Sequence, residues 1–275
     1  MRHLVDVGGA ELEAVLEGQG SLTVVFENGL ATPLEFWDAV APEVAKRARI
    51  LRYNRRWATP AGPLTHRSHS EIVDDLEKLL THLAVAPPYV LVGHSWGGVL
   101  VRLYAYAHPQ DVAGLVFVDA TNEALDERTL ALLPAVNSVM ALLGRAAFVR
   151  RGFIRQICPP NAPPGYRAHV EERLLSRAGW AVGLRTTRAE GAAIPGALRY
   201  LRRECPALPA VPIHVLTAGG VTNKSARRVH KAWKVMAARA AHARYTDVPT
   251  SGHYMPIDVP EAVVQAISGV LESPH

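Results

Sequence analysis

The chain has 275 residues, 49% of them hydrophobic and 20% charged, with a formal net charge of +5. That length suits one large α/β domain or two small ones, and the apolar content supports a sizeable core rather than a disordered, low-complexity or repeat protein. Cys158 and Cys205 cannot form a disulfide framework and lack zinc-ligand spacing. The N-terminus lacks the charged and apolar regions of a signal peptide, and no window reaches the ~18 uninterrupted apolar residues of a membrane span. A reduced, cytoplasmic setting is therefore the expectation.

In chain order, 4–7 and 12–16 read as an antiparallel hairpin at a sheet edge. Apolar, β-branched runs follow at 22–26, 50–53, 89–92, 115–118, 213–217 and 243–248. They alternate with helical patterns, the signature of βαβ units around a mostly parallel central sheet flanked by helices. Thr32-Pro33-Leu34-Glu35 reads as a capping box with proline in the first turn. Ser68-His69-Ser70-Glu71 opens a helix whose apolar face is Ile72, Leu76, Leu79, Leu80 and Leu83. Asp258 and Glu261 bracket Pro260 at the start of a last helix faced by Val263, Val264, Ile267, Val270 and Leu271.

From 121 to 208 the alternation stops. Helical periodicity continues without a buried strand, interrupted by Cys158-Pro159-Pro160-Asn161-Ala162-Pro163-Pro164-Gly165. This predicts a helical cap, 121–208, inserted into a core built from 1–120 and 209–275, with the prolines fixing a bend between two helical groups. Residues 121–205 hold thirteen Arg against seven Asp or Glu, so the chain's whole positive excess sits in the insertion. A solvated, arginine-rich surface accounts for it. The sharper alternative is a positive field at a pocket mouth that draws in an anionic substrate. No recognition motif or aromatic–basic interleaving accompanies the charge, so nucleic acid is not an expected partner.

Gly93-His94-Ser95-Trp96-Gly97 lies between the apolar run at 89–92 and a helical pattern of Val99, Leu100, Leu103, Tyr104 and Ala107. A serine on such a sharp strand-to-helix turn has its hydroxyl pushed out of the sheet edge, and a β-carbon on either flanking glycine would collide. Attack by a hydroxyl on a carbonyl needs a base, a group that orients the base, and donors for the developing oxyanion. Ser95 is the nucleophile candidate. His253, in Ser251-Gly252-His253-Tyr254 between the last strand and the last helix, is the candidate base.

The order of strand, G-x-S-x-G, helix, strand ending in Asp, helical insertion, strand and late Gly-His resembles the α/β-hydrolase fold enzymes. The most similar branch is the esterase, lipase and haloperoxidase-like one, with Leu91-Val92-Gly93-His94-Ser95-Trp96-Gly97-Gly98 as the most specific stretch. Two departures stand out. The family's His-Gly after the third strand is replaced by Asn28-Gly29; the resemblance then implies an oxyanion hole from the backbone N–H groups of Leu30 and Trp96, with Gly29 allowing close approach to substrate. The family often carries its acid after the strand that follows the insertion, but 218–223 holds no carboxylate. Asp119, at the end of 115–118, is the alternative location, and Asp247 is its rival.

Other candidates read as structural. His94 is expected to pack away from the pocket. His66 and His69 lack a third metal ligand nearby. Asn54, Arg55 and Arg56 read as a surface loop, with the active-site rim as the alternative, and Phe148, Phe153, Tyr166 and Trp180 as core of the cap, with substrate contact as the alternative. The expectation is a serine hydrolase acting on a carboxylic ester, lactone or thioester through an acyl-enzyme, with a small-molecule substrate and no cofactor or metal. Alternatives are a non-ester reaction on the same fold (C–C hydrolysis, perhydrolysis, cyclisation or isomerisation) and a non-catalytic binding protein.

Overall fold

The computed structural model describes residues 2–56, 66–221 and 223–273. In chain order the strands are β1 (Arg2–Asp6), β2 (Glu11–Glu17), β3 (Thr23–Glu27), β4 (Arg49–Tyr53), β5 (Tyr89–His94), β6 (Val112–Val118), β7 (Ile213–Ala218) and β8 (Ala243–Val248). The helices are α1 (Ala41–Ala45), α2 (His69–His82), α3 (Trp96–Ala107), α4 (Glu127–Leu143), α5 (Ala147–Ile157), α6 (Pro164–Leu174), α7 (Arg177–Gly191), α8 (Ile194–Glu204), α9 (Lys224–Arg239), α10 (Met255–Asp258) and α11 (Pro260–Leu271). One eight-stranded sheet runs β1-β2-β4-β3-β5-β6-β7-β8. β1 and β2 are antiparallel at one edge, and every pairing from β4 to β8 is parallel. The mostly parallel sheet expected from the alternating apolar runs is present.

Both sheet faces are covered, which is why the central strands read as continuous apolar runs. On β5, Tyr89 and Leu91 face one core and Val90 and Val92 the other; on β6, Leu115 and Phe117 oppose Val116 and Val118. The first core receives α2, α3, α8 and α9, the second α1, α10 and α11. Helices α4 to α8 are all inserted between β6 and β7. The last of them, α8, buries Ile194, Ala197, Leu198 and Leu201 in the first core alongside α2 and α3.

Two expected helix starts differ in outcome. Ser68 accepts from the Glu71 N–H and Glu71 accepts from the Ser68 N–H, so the second capping box forms as expected. The Thr32–Glu35 motif does not form one: Leu34–Trp37 is a single 3-10 turn without a side-chain cap. The Leu34 N–H is instead taken by Asn54 Oδ1 at 2.8 Å, a tertiary partner that local spacing cannot reveal.

Candidate functional site

Register brings the candidate groups to one edge. His94 on β5 pairs with Val118 on β6, so residues 95 and 119 leave the sheet side by side at its carboxyl edge, where ligands bind in open α/β sheets. Ser95 N–H donates to Val118 O at 3.2 Å and Asp119 N–H to Leu216 O at 2.9 Å. Both residues have positive φ, 52° and 40°, a strained conformation for non-glycine residues that clusters at functional sites. The glycines make the Ser95 turn possible. A β-carbon on Gly93 would lie 2.6 Å from Gly97 O, and one on Gly97 would meet Asn28 O at 2.6 Å. The start of α3 is thus pressed against the end of β3.

His253 enters from the far side of the sheet, in the loop between β8 and α10. Gly220 N–H donates to Ser251 O at 3.1 Å, and Gly252 N–H to Asp258 Oδ2 at 3.0 Å. Asp258, expected only to flank a helix start, therefore orders this loop. Ser95 Oγ–H donates to His253 Nε2 at 3.1 Å, and His253 Nδ1–H donates to Asp119 Oδ2 at 2.6 Å. Asp119 is buried, while the His253 side chain is 42% exposed. Asp247, the rival acid, lies on β8 and accepts from Thr217 Oγ1 at 2.9 Å.

Asp119 has a second histidine that the sequence did not single out. His230 on α9 donates from Nε2 to Asp119 Oδ1 at 2.7 Å, and Ala218 N–H donates to the same oxygen at 3.0 Å. Burial opposes charge on Asp119, but the hydrogen bonds from His230 and His253 outweigh it and hold the carboxyl well below the usual carboxylate range. Among twelve histidines, nothing local marks position 230.

Beneath the loop after β3 lies a buried polar network. Arg55, expected on the surface, is 9% exposed. Its guanidinium donates to both Glu190 carboxylate oxygens at 3.0 Å, to Glu27, and to the carbonyls of Asn28 at 2.7 Å and Gly29 at 2.6 Å. Tyr53 donates to Glu27 as well. Burial disfavours the guanidinium charge, but the carboxylates of Glu190 and Glu27 outweigh it and raise the Arg55 pKa. Glu190, on α7, also accepts from Ala31 N–H at 3.0 Å. In a trans peptide the C=O and the next N–H point in opposite directions. With the Gly29 carbonyl held by Arg55, the Leu30 N–H is directed away from the guanidinium.

Gly29 is closely packed on its protein side: a β-carbon there would sit 2.8 Å from His94 Nδ1. His94 is buried between Phe36 and His253, with ring centroids 4.7 and 4.8 Å away, and its Nε2–H donates to His253 O at 2.8 Å.

A cavity of about 270 Å³ lies under the insertion, walled by Leu30 and Tyr254 on one side and by Met140, Phe153, Tyr166 and Trp180 on the other. Tyr166 and Trp180 are buried, as expected of cap core, and together with Phe153 they also line this space; Phe148, expected in the same core, is 74% exposed. Of the thirteen insertion arginines, Arg173 is the one at this wall among the described residues. Arg150 is buried against the carbonyls of Gly144, Arg145 and Leu175. Among the described residues no group of three or more His, Cys, Asp or Glu could hold a metal, and no helix is long and apolar enough to cross a membrane.

A family model described as alpha/beta hydrolase fold matches residues 23–151. An uncharacterised protein of Bacillus subtilis, YqjL, is 33% identical over 104 residues, covering 38% of this chain and 41% of that protein. This chain spans less than half the length of the curated relatives it matches. Solved structures align over nearly the whole chain. Epoxide hydrolase CorEH superposes with a TM-score of 0.75 at 16% identity, covering 98% of both chains. A thermophilic esterase from Thermogutta terrifontis does so with a TM-score of 0.72 at 20% identity, covering 98% of this chain and 97% of that one. With the sheet order, the family match and these superpositions agreeing, this chain is an α/β-hydrolase-fold protein.

Proposed function

We infer that the chain is a serine hydrolase that cleaves a carboxylic ester, lactone or thioester. The observation that carries the reading is the continuous chain of hydrogen bonds from Ser95 Oγ through the His253 ring to Asp119. As the hydroxyl attacks the acyl carbon, His253 Nε2 takes its proton, and Asp119 holds Nδ1 protonated so that the basic nitrogen faces Ser95. The tetrahedral oxyanion is received by the N–H groups of Leu30 and Trp96. Return of the proton from His253 expels the alcohol or thiol, and water then attacks the acyl-enzyme with His253 again as base. Relatives on this fold include an epoxide hydrolase and an esterase. A hydroxyl at the turn, next to an imidazole, suits addition to a carbonyl. The insertion from α4 to α7 acts as the cap, and its cavity holds the acyl group.

His230 is a positioning residue in this scheme, because it fixes the carboxylate oxygen that His253 does not use. The test is labelling with a fluorophosphonate and hydrolysis of p-nitrophenyl esters. Wild-type protein should acquire one adduct, located on Ser95 by peptide mass spectrometry, and Ser95→Ala should retain trace turnover at most. Removing a triad nucleophile costs several orders of magnitude in kcat. Turnover that survives Ser95→Ala, or an active enzyme that never labels, would move the chemistry to a non-covalent route.

A further inference from the structure

Helix α4 carries no charged residue between Thr129 and Leu143. Its polar residues in that stretch are Asn137 and Ser138, and among the described residues its covered side is the one that packs on α7 and α8, where Leu130 is buried. On the outer side Leu132, Val136, Val139 and Leu143 recur at i, i+4, i+7 and i+11, one continuous face, and all are exposed. Leu142 and Phe148, 62% and 74% exposed, carry the apolar surface across the turn into α5. Exposed apolar surface gathered in this way marks an interaction site.

Charge selects the occupant. From Thr129 to Val170 there is no Asp or Glu, and there are five Arg. Of these, Arg150 is turned inward onto backbone carbonyls, whereas Arg145, Arg151 and Arg155 are exposed beside the apolar face. A second copy docked through the same face about a two-fold axis would bring these arginines toward their own images, with no carboxylate in the segment to meet them. An anionic bilayer offers both complements: phosphates for the arginines and acyl chains for the leucines and Phe148.

We propose that the outer face of α4 and the first turn of α5 seat the protein on an anionic lipid surface, peripherally and without spanning it. Val136 belongs both to this face and to the wall of the apolar cavity, so the cavity adjoins the docked surface.

The experiment is flotation of the whole chain with phosphatidylcholine vesicles, with and without phosphatidylglycerol, at low and high salt, alongside light scattering for mass. Wild-type protein should float with the phosphatidylglycerol vesicles, less so at high salt. Each arginine near such a surface contributes roughly five-fold in partitioning, so replacing Arg145, Arg151 and Arg155 by Gln should weaken binding about 100-fold. Leu142→Glu with Phe148→Glu should abolish flotation while hydrolysis of a short, soluble ester is unchanged, because neither side chain lines the cavity. Failure to float, equal binding to neutral vesicles, or a dimer that the Glu variants dissociate would each overturn the proposal. Ester hydrolysis is read separately, so the two proposals stand or fall independently.

Discussion

At residue scale, His94 shows how a histidine beside the proposed nucleophile can be excluded from proton chemistry. Its ring is fully enclosed, and burial, reinforced by the nearby His253 ring, pushes its pKa down to about 3. The Nε2–H bond to the His253 carbonyl fixes a neutral tautomer, and Nδ1 has no hydrogen-bond partner among the described residues. The folded value lies below the unfolded value of about 6.5, so the unfolded chain takes up the proton first. The contribution is fully present above pH ~6.5 and is lost as pH falls toward 3. By pH 5 this one ring should have removed about 2 kcal/mol of stability. His94→Gln keeps a donor for the carbonyl but cannot titrate. Urea unfolding at pH 7 and pH 5 should therefore show a smaller acid loss in the variant than in the wild type. Equal losses would mean that His94 is protonated in the native state. The contribution of Asp119 is lost on acidification too, but lower down, since its depressed carboxyl keeps its stabilisation until pH falls below about 4.

At the scale of elements, the loop after β3 is held by α7, far along the chain. The Arg55–Glu190 pair is buried, and breaking such a pair by neutralising one partner costs about 3 kcal/mol or more. Because Arg55 also holds the Gly29 carbonyl, loosening it should release the Leu30 N–H as well, and losing one oxyanion donor costs about 3 kcal/mol of barrier. Glu190→Gln should thus lower the melting temperature and reduce kcat at least about ten-fold with KM little changed, measured well below the transition. A destabilised variant with unaltered kcat would confine this network to structure. This region also marks where sequence reading stops. The strands were legible because Val24, Leu51, Val90 and Val116 lie in sheet covered on both faces, which imposes unbroken apolar runs. The turn at Ser95 was legible because its constraint is local. Arg55 and His230 were not, because what distinguishes them is a partner 135 residues away for the first and 111 for the second. The first helix start failed for the same reason, since Asn54 supplies from another loop what Thr32 was expected to supply locally.

At the scale of the whole molecule, the arginine excess and the cavity make separate contributions. An anion-drawing pocket needs its positive groups to converge on the cavity, but Arg150, Arg167 and Arg202 reach backbone carbonyls elsewhere. The cavity wall is mainly apolar and aromatic, from Phe153, Tyr166, Val170, Leu174 and Trp180. Substrate choice should then follow apolar burial rather than charge. Each methylene moved from water into such a wall is worth about 0.8 kcal/mol, or roughly four-fold in kcat/KM if the gain is realised in the transition state. A series of linear p-nitrophenyl esters should climb by about that factor per carbon until the cavity is filled, and then level or fall as longer chains clash. Trp180→Ala should move the optimum to longer chains, because it removes wall without touching the hydrogen bonds at Ser95. Measured with soluble esters below their aggregation limits, these rates should change little between low and high salt. A flat chain-length profile joined to a steep salt dependence would instead show that the insertion recruits its substrate by charge.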